Sequence, residues 1–174
     1  MIIGVLAFAL VGMMGAMAST AYAMDEEMAA DKAADASDCC KKDDTTPPLD
    51  LVKNTPKGGL HNPYNDDPEA VAKEGHKKYL SYSCNGCHGG GGGGGMCPPL
   101  TNDAWIYGAD DDVVFRLITL GTDQLKKDGY KRVRKEVVVG PMPSFGGIGN
   151  PAIIKTSDEL WKVIAFMRTK NPSS

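Results

Sequence analysis

The chain has 174 residues, 42% of them hydrophobic and 24% charged, with a formal net charge of −3. That balance excludes an intrinsically disordered chain and an integral membrane protein, and it leaves no broad basic face for nucleic acid. Aromatic residues are only 7% against 21 Gly and 11 Pro, which is thin material for a self-sufficient core, and five Cys cannot all pair within one chain.

Residues 1–23 carry no charged side chain and close on Ala21-Tyr22-Ala23, with acids beginning at Asp25. An apolar run ending in a small-x-small pattern is expected to be a signal peptide, 1–23, cut after Ala23. The product would be exported, hence periplasmic, with no membrane attachment after cleavage. An uncleaved anchor is the alternative, although the run is barely long enough to span a bilayer. No Lys or Arg precedes the run, which leaves open a true start further upstream.

Residues 24–60 change character. Asp25 to Asp50 holds nine acids and three Lys, a net of −6, and closes with Thr45-Thr46-Pro47-Pro48, whereas 51–174 has a net of +3. Like charge and few apolar residues predict an acidic flexible tail or linker. Cys39 and Cys40 lie within it; in an oxidising compartment they could bridge each other, reach Cys97, or join two chains.

The folded domain is expected over 61–172, with order beginning near Tyr64. Asn65-Asp66-Asp67-Pro68-Glu69 carries a cap, a Pro for the first helical position and an acid for the first turn, predicting a helix to about Ser83 with Val71, Gly75, Tyr79 and Tyr82 on one side. A second helix is predicted at 111–120: Asp110, Asp111 and Asp112 suit its N-terminus, Val113, Val114, Leu117, Ile118 and Leu120 form its stripe, and Gly121 ends it. A third runs from Ser157 to about Thr169, opened by a Thr156/Glu159 capping box, with Leu160, Val163, Ile164 and Met167 on one face. No period-2 alternation argues for a sheet. The fold class is all-α, three or more helices with Gly/Pro-rich loops.

Cys84-Asn85-Gly86-Cys87-His88 decides the chemistry. Two thiols three positions apart, followed at once by His, are what covalent haem c attachment requires: each Cys adds to one vinyl group, and His88 is carried beneath the iron as an axial ligand. Two other chemistries use similar residues. A thioredoxin-type pair needs an alternating strand–helix pattern that is absent, and a zinc site could be drawn from Cys84, Cys87, His88 and Cys97. The opposite axial ligand is expected from Gly140-Pro141-Met142-Pro143-Ser144-Phe145, where flanking prolines stiffen the backbone around Met142; Met96 is the rival. With both positions filled, the iron is closed to substrate, which favours electron transfer over a haem sensor or small redox enzyme with an open iron.

The glycine run 89–95 is expected to need positive φ and close passage by the ring. A carbonyl of the Pro98-Pro99 pair could accept the second imidazole N–H of His88. Pro99, Leu100 and Trp105 are expected around the haem, Tyr107 is a further candidate, and His61 and His76 are expected on the surface.

This layout resembles class I cytochromes c. Ser83-Cys84-Asn85-Gly86-Cys87-His88, the stretch Met96 to Gly108, Phe115-Arg116-Leu117-Ile118-Thr119-Leu120-Gly121-Thr122 and Val139-Gly140-Pro141-Met142-Pro143-Ser144-Phe145 resemble, more narrowly, cytochrome cL, the electron acceptor of PQQ-dependent methanol dehydrogenases, in its lanthanide-enzyme version. The resemblance covers roughly 60–172. It implies one covalent haem c and a first and last helix that cross at Gly75 with Val163 and Phe166 packed there. It also implies single-electron transfer from a quinoprotein methanol dehydrogenase to a downstream cytochrome c or oxidase, in methanol oxidation. The protein would be a redox partner and not itself an enzyme. Another periplasmic dehydrogenase or oxidase is the alternative partner. Some relatives hold calcium near the haem, and no cluster here locates one. Residues 124–139, with six cations and two acids, are a candidate docking surface.

Overall fold

A computed structural model describes residues 40–171; the expected signal peptide, residues 24–39 and Cys39 lie outside them. The described chain is helical, with no strand among the described residues. In chain order the helices are α1 (Pro48–Asn54), α2 (Glu69–Ser81), α3 (Asn85–His88), α4 (Asp111–Lys127) and α5 (Ser157–Lys170).

The two long outer helices begin as their sequences dictate. The Asp67 carboxylate accepts the Ala70 amide at 3.2 Å, capping α2 just before Pro68. At α5 the capping box is formed in both directions, Glu159 N–H to Thr156 Oγ1 at 3.3 Å and Thr156 N–H to Glu159 Oε2 at 3.4 Å. These helices cross at Gly75. A Cβ there would stand 1.9 Å from the Lys162 carbonyl oxygen, so only hydrogen permits the approach. Around the crossing, Tyr79 and Phe166 pack with ring centroids 5.2 Å apart, and Val163, Ile164 and Met167 are buried. Burial of these apolar faces, rather than helix propensity, holds the pair together.

α4 differs from its predicted extent. Gly121 stands at φ 75, ψ 167 and breaks the helix where the sequence places its end, but a further turn follows, to Lys127. Leu125, 0% exposed, anchors that turn in the core; one apolar residue among polar neighbours gave no periodic signal. Phe115 and Trp161 pack across the α4–α5 contact with centroids 4.2 Å apart and the rings tilted by 37°.

The larger correction concerns the expected tail. Residues 40–60 pack onto the domain: Leu51, Val52 and Leu60 are buried. The reason is Arg116, itself buried on α4. Its Nε meets both Asp112 carboxylate oxygens at 3.0 Å, Nη1 donates to Val52 O at 3.1 Å, and Nη2 donates to Thr55 O at 2.8 Å and Pro56 O at 2.9 Å. Asp44 and Thr46 dock on the start of α5, Asp158 N–H donating to Asp44 O at 3.0 Å and Ser157 N–H to Thr46 O at 2.8 Å. Composition described the charge of this stretch; it could not show that an arginine sixty residues later satisfies its carbonyls.

Candidate haem site

The end of α2 sets the direction of the Cys84–His88 segment. Ser83 adopts a left-handed conformation, φ 63. The amides of Ser83 and Cys84 donate to the carbonyls of Leu80 and Tyr79, each at 3.1 Å. Together these form a Schellman cap that turns the chain out of α2 and into α3. Cys84 and His88, four apart on that turn, share a face, and both line a cavity of about 390 Å3. Cys87 is half-exposed and stands off the cavity wall, its side chain beside that of Cys97.

The imidazole of His88 is oriented. Its Nδ1 lies 2.9 Å from the carbonyl oxygen of Pro98, which fixes the ring and directs Nε2 into the cavity. The glycine run makes this possible. At Gly89, φ is 78 and a Cβ would lie 2.6 Å from the Gly94 carbonyl oxygen, so the loop can fold back tightly only with glycine there. The returning strap is bonded at Gly94 N–H to His88 O (2.8 Å), Cys97 N–H to Cys87 O (3.1 Å) and Leu100 N–H to Gly92 O (2.7 Å).

Met142 lines the same cavity, half-buried, from the loop that packs on the break in α4. Because Gly121 interrupts the helix, the carbonyls of Ile118 and Thr119 take loop donors instead, Phe145 N–H at 3.0 Å and Gly146 N–H at 2.9 Å. Met96, the rival, is 63% exposed and lies off the cavity. Pro99, Leu100, Trp105 and Tyr107 all line the cavity. The remaining wall is largely apolar, from Val114, Leu117, Ile118 and Val163, with Lys126 and Arg132 among its few cations.

The donor set fits a haem. Trp105 Nε1 is buried without a hydrogen-bond partner among the described residues, and its side chain lines the cavity. Lys126 and Arg132, the two Lys/Arg side chains on the cavity wall, would suit the carboxylates of a haem propionate. The alternatives do not fit. Among the described residues no three His, Cys, Asp or Glu converge as a metal ion would require, so Cys84, Cys87, His88 and Cys97 do not assemble a zinc site. Burial pushes the Cys84 thiol up to about 11, and burial followed by the neighbouring Cys87 pushes Cys97 to about 11. A thioredoxin-type pair works through a lowered thiol pKa, whereas burial raises that of Cys84.

Three supporting contacts were not read from the sequence. Tyr79 O–H donates to Gly89 O at 2.6 Å, and burial, ahead of Cys84 and Cys87, raises its pKa to about 12. His76, expected on the surface, is half-buried: its ring stacks on Phe166 at 4.5 Å and Nε2 lies 2.7 Å from Gly90 O. Its position three residues before Tyr79 on one helix face was the available signal. Thr122 bonds Met142, a pairing with no signature in one dimension. His61 is exposed.

A helical cradle with a haem-attachment turn on one wall and a methionine loop on another defines a c-type haem protein. The chain belongs to the cytochrome c family, whose model matches residues 72–171. Its cofactor is therefore a covalently bound haem c, and its class is electron transfer. No curated protein and no solved structure is matched.

Proposed function

We propose that this chain is an exported monohaem electron carrier that takes single electrons from a quinoprotein methanol dehydrogenase and delivers them to a downstream cytochrome c or oxidase. In this reading Cys84 and Cys87 would hold the haem through their sulfurs, and His88 and Met142 would ligate its iron. The observation that carries it is the cavity itself: an imidazole fixed by Pro98 and a thioether held on the break of α4 line the same apolar space. When bound, the haem supplies one-electron redox chemistry, and His/Met ligation raises its potential relative to bis-His. The protein's part would be to present His88 and Met142 to the iron, keep water from the group with Leu100, Ile118 and Val163, and orient His88.

The choice of donor rests on the resemblance of the segments around Cys84–Gly108 and Val139–Phe145 to cytochrome cL. A surface suited to docking lies at the cavity mouth. Arg132, Val138, Gly140 and Pro141 line the cavity, while Val133, Val137 and Val139 on the same loop are 63, 93 and 78% exposed. Exposed valines interleaved with Lys131, Arg132, Arg134 and Lys135 suit a transient interface with an acidic rim around an apolar centre. A reduced quinone holds two electrons, so two successive encounters are needed to empty it.

The test mixes purified holoprotein with a PQQ methanol dehydrogenase and methanol and follows haem reduction. Reversing the charges of Lys131, Arg132 and Arg134 should slow reduction about tenfold or more at low salt and have little effect at high salt, because exposed charges are screened over about 10 Å at 0.1 M. Absence of reduction by methanol dehydrogenases of either metal type, alongside rapid reduction by another quinoprotein or oxidase partner, would reassign the donor. A rate unchanged by the reversals would remove this loop from docking.

A further inference from the structure

We propose that Thr122 is a positioning residue for Met142 and holds its thioether at the sixth position; the proposal rests on Met142 being that ligand. Met142 sits between Pro141 and Pro143, neither of which has an amide hydrogen. The Met142 N–H is therefore the single backbone donor of this tripeptide, and it goes to Thr122 Oγ1 at 3.0 Å. The Met142 carbonyl in turn accepts the Thr122 N–H at 2.9 Å. Both backbone polar groups of the ligand residue thus end on one residue across the cavity wall.

Thr122 can do this only because of the residue before it. In an unbroken helix its N–H would bond to Ile118 O, but that oxygen is taken by Phe145 N–H at 3.0 Å, and Gly121 at φ 75 turns the Thr122 amide toward the loop. A Cβ on Gly121 would stand 2.7 Å from Ser144 N and 2.9 Å from Met142 O, so the loop lies directly against the break. Thr122 is 9% exposed, and water does not readily replace its hydroxyl. The other loop bonds, Ser144 Oγ and Gly146 N–H to Thr119 O at 2.7 and 2.9 Å, begin beyond Pro143. They hold residues 144–146 and leave Met142 to Thr122.

Loss of the Thr122 hydroxyl strands the Met142 amide and favours a loop position with the thioether withdrawn. An added sixth ligand competes with methionine, so its apparent affinity scales with the population in which methionine is off. The experiment titrates ferric holoprotein with cyanide and follows loss of the weak far-red band that marks methionine ligation. Thr122→Val should raise the apparent cyanide affinity about tenfold, Thr122→Ala should do likewise, and Thr122→Ser should restore the parent value to within about twofold. In a Met142→Ala background, where no methionine remains to be held, Thr122→Val should leave cyanide affinity unchanged. A parent that shows the band, paired with Thr122→Val and Thr122→Ala proteins of unaltered cyanide affinity, overturns the positioning role. An equal rise in the Met142→Ala background does so too. A parent lacking the band overturns the assignment of Met142 itself, which is a separate failure.

Discussion

The crossing of α2 and α5 at Gly75 is the contact on which the cavity depends, and Gly75→Ala measures it. The added Cβ would stand 1.9 Å from the Lys162 carbonyl oxygen, 2.7 Å from the Lys162 carbonyl carbon and 3.1 Å from Phe166 Cβ. The nearest atoms are backbone, so no rotamer change relieves the overlap. Reaching a separation of about 3.2 Å requires the helices to part by about 1.3 Å, and a radial gap of even about 0.5–1 Å forfeits about a quarter to a half of each dispersion contact it opens. Tyr79, Val163 and Phe166 lose contacts together. Overpacking of this kind costs about 1–3 kcal/mol where side chains can yield, and more where they cannot. Alanine recovers up to about 1 kcal/mol over glycine inside a helix. The expected net loss is about 2–3 kcal/mol, or roughly 6–12 °C in Tm for a domain of this size. The assay is thermal unfolding of the ferric holoprotein by far-ultraviolet circular dichroism, with Gly75→Val as a stronger lesion that should lower Tm further. A Gly75→Ala protein melting within about 1 °C of the parent would mean that these helices do not approach as described.

Two further outcomes follow from the polar contacts that tie residues 40–60 and α5 together. Arg116→Met strips the buried Asp112 of its charged partner and takes the guanidinium donors from the Val52 and Thr55 carbonyls, while Pro56 O keeps the Gly59 N–H, at a cost of about 3–5 kcal/mol. Limited proteolysis should then cut at Lys53 or Lys57 while the rest of the domain survives, and an unaltered digestion pattern would contradict the clamp. Asp158 is buried, yet hydrogen bonds from Tyr64, Lys162 and the Asp43 amide outweigh burial and hold its pKa below 3.8. A carboxylate with a depressed folded-state pKa stabilises the fold above its unfolded value, and that stability is lost as pH falls through the folded value. Asp158→Asn should therefore lower stability by about 1–3 kcal/mol at neutral pH and flatten the acid limb of the stability profile in urea titrations. Acid limbs of equal slope in the two proteins would show that Asp158 is not the linked group.

Much of this protein was legible in one dimension, because the signals involved are local. The capping box at Thr156 and Glu159, the Asp67-Pro68 start of α2 and the helix break at Gly121 each depend on residues within a few positions, and each lies where its spacing put it. The Cys84–His88 turn is local as well, since thiol spacing matches one edge of one porphyrin. Even the orientation of His88 by Pro98, ten residues on, falls within a single loop. The boundary of the folded domain was misread for the opposite reason. Residues 40–60 are too polar to announce burial, and the group that satisfies them, Arg116, is distant in sequence and close in space.

What the sequence determined by itself is the cofactor chemistry and the helices that frame it, since both are written in short-range patterns of thiol, imidazole, cap and apolar stripe. What the tertiary structure decided is which methionine faces the cavity, which threonine holds it, and how far the fold extends toward the N-terminus. Met142 and Met96 are the same residue type in similarly loop-like settings; only the packing of 142–146 against the broken end of α4 turns one inward and leaves the other in solvent. Hydrogen bonds between distant segments are settled by three-dimensional closure, and closure depends on every helix at once.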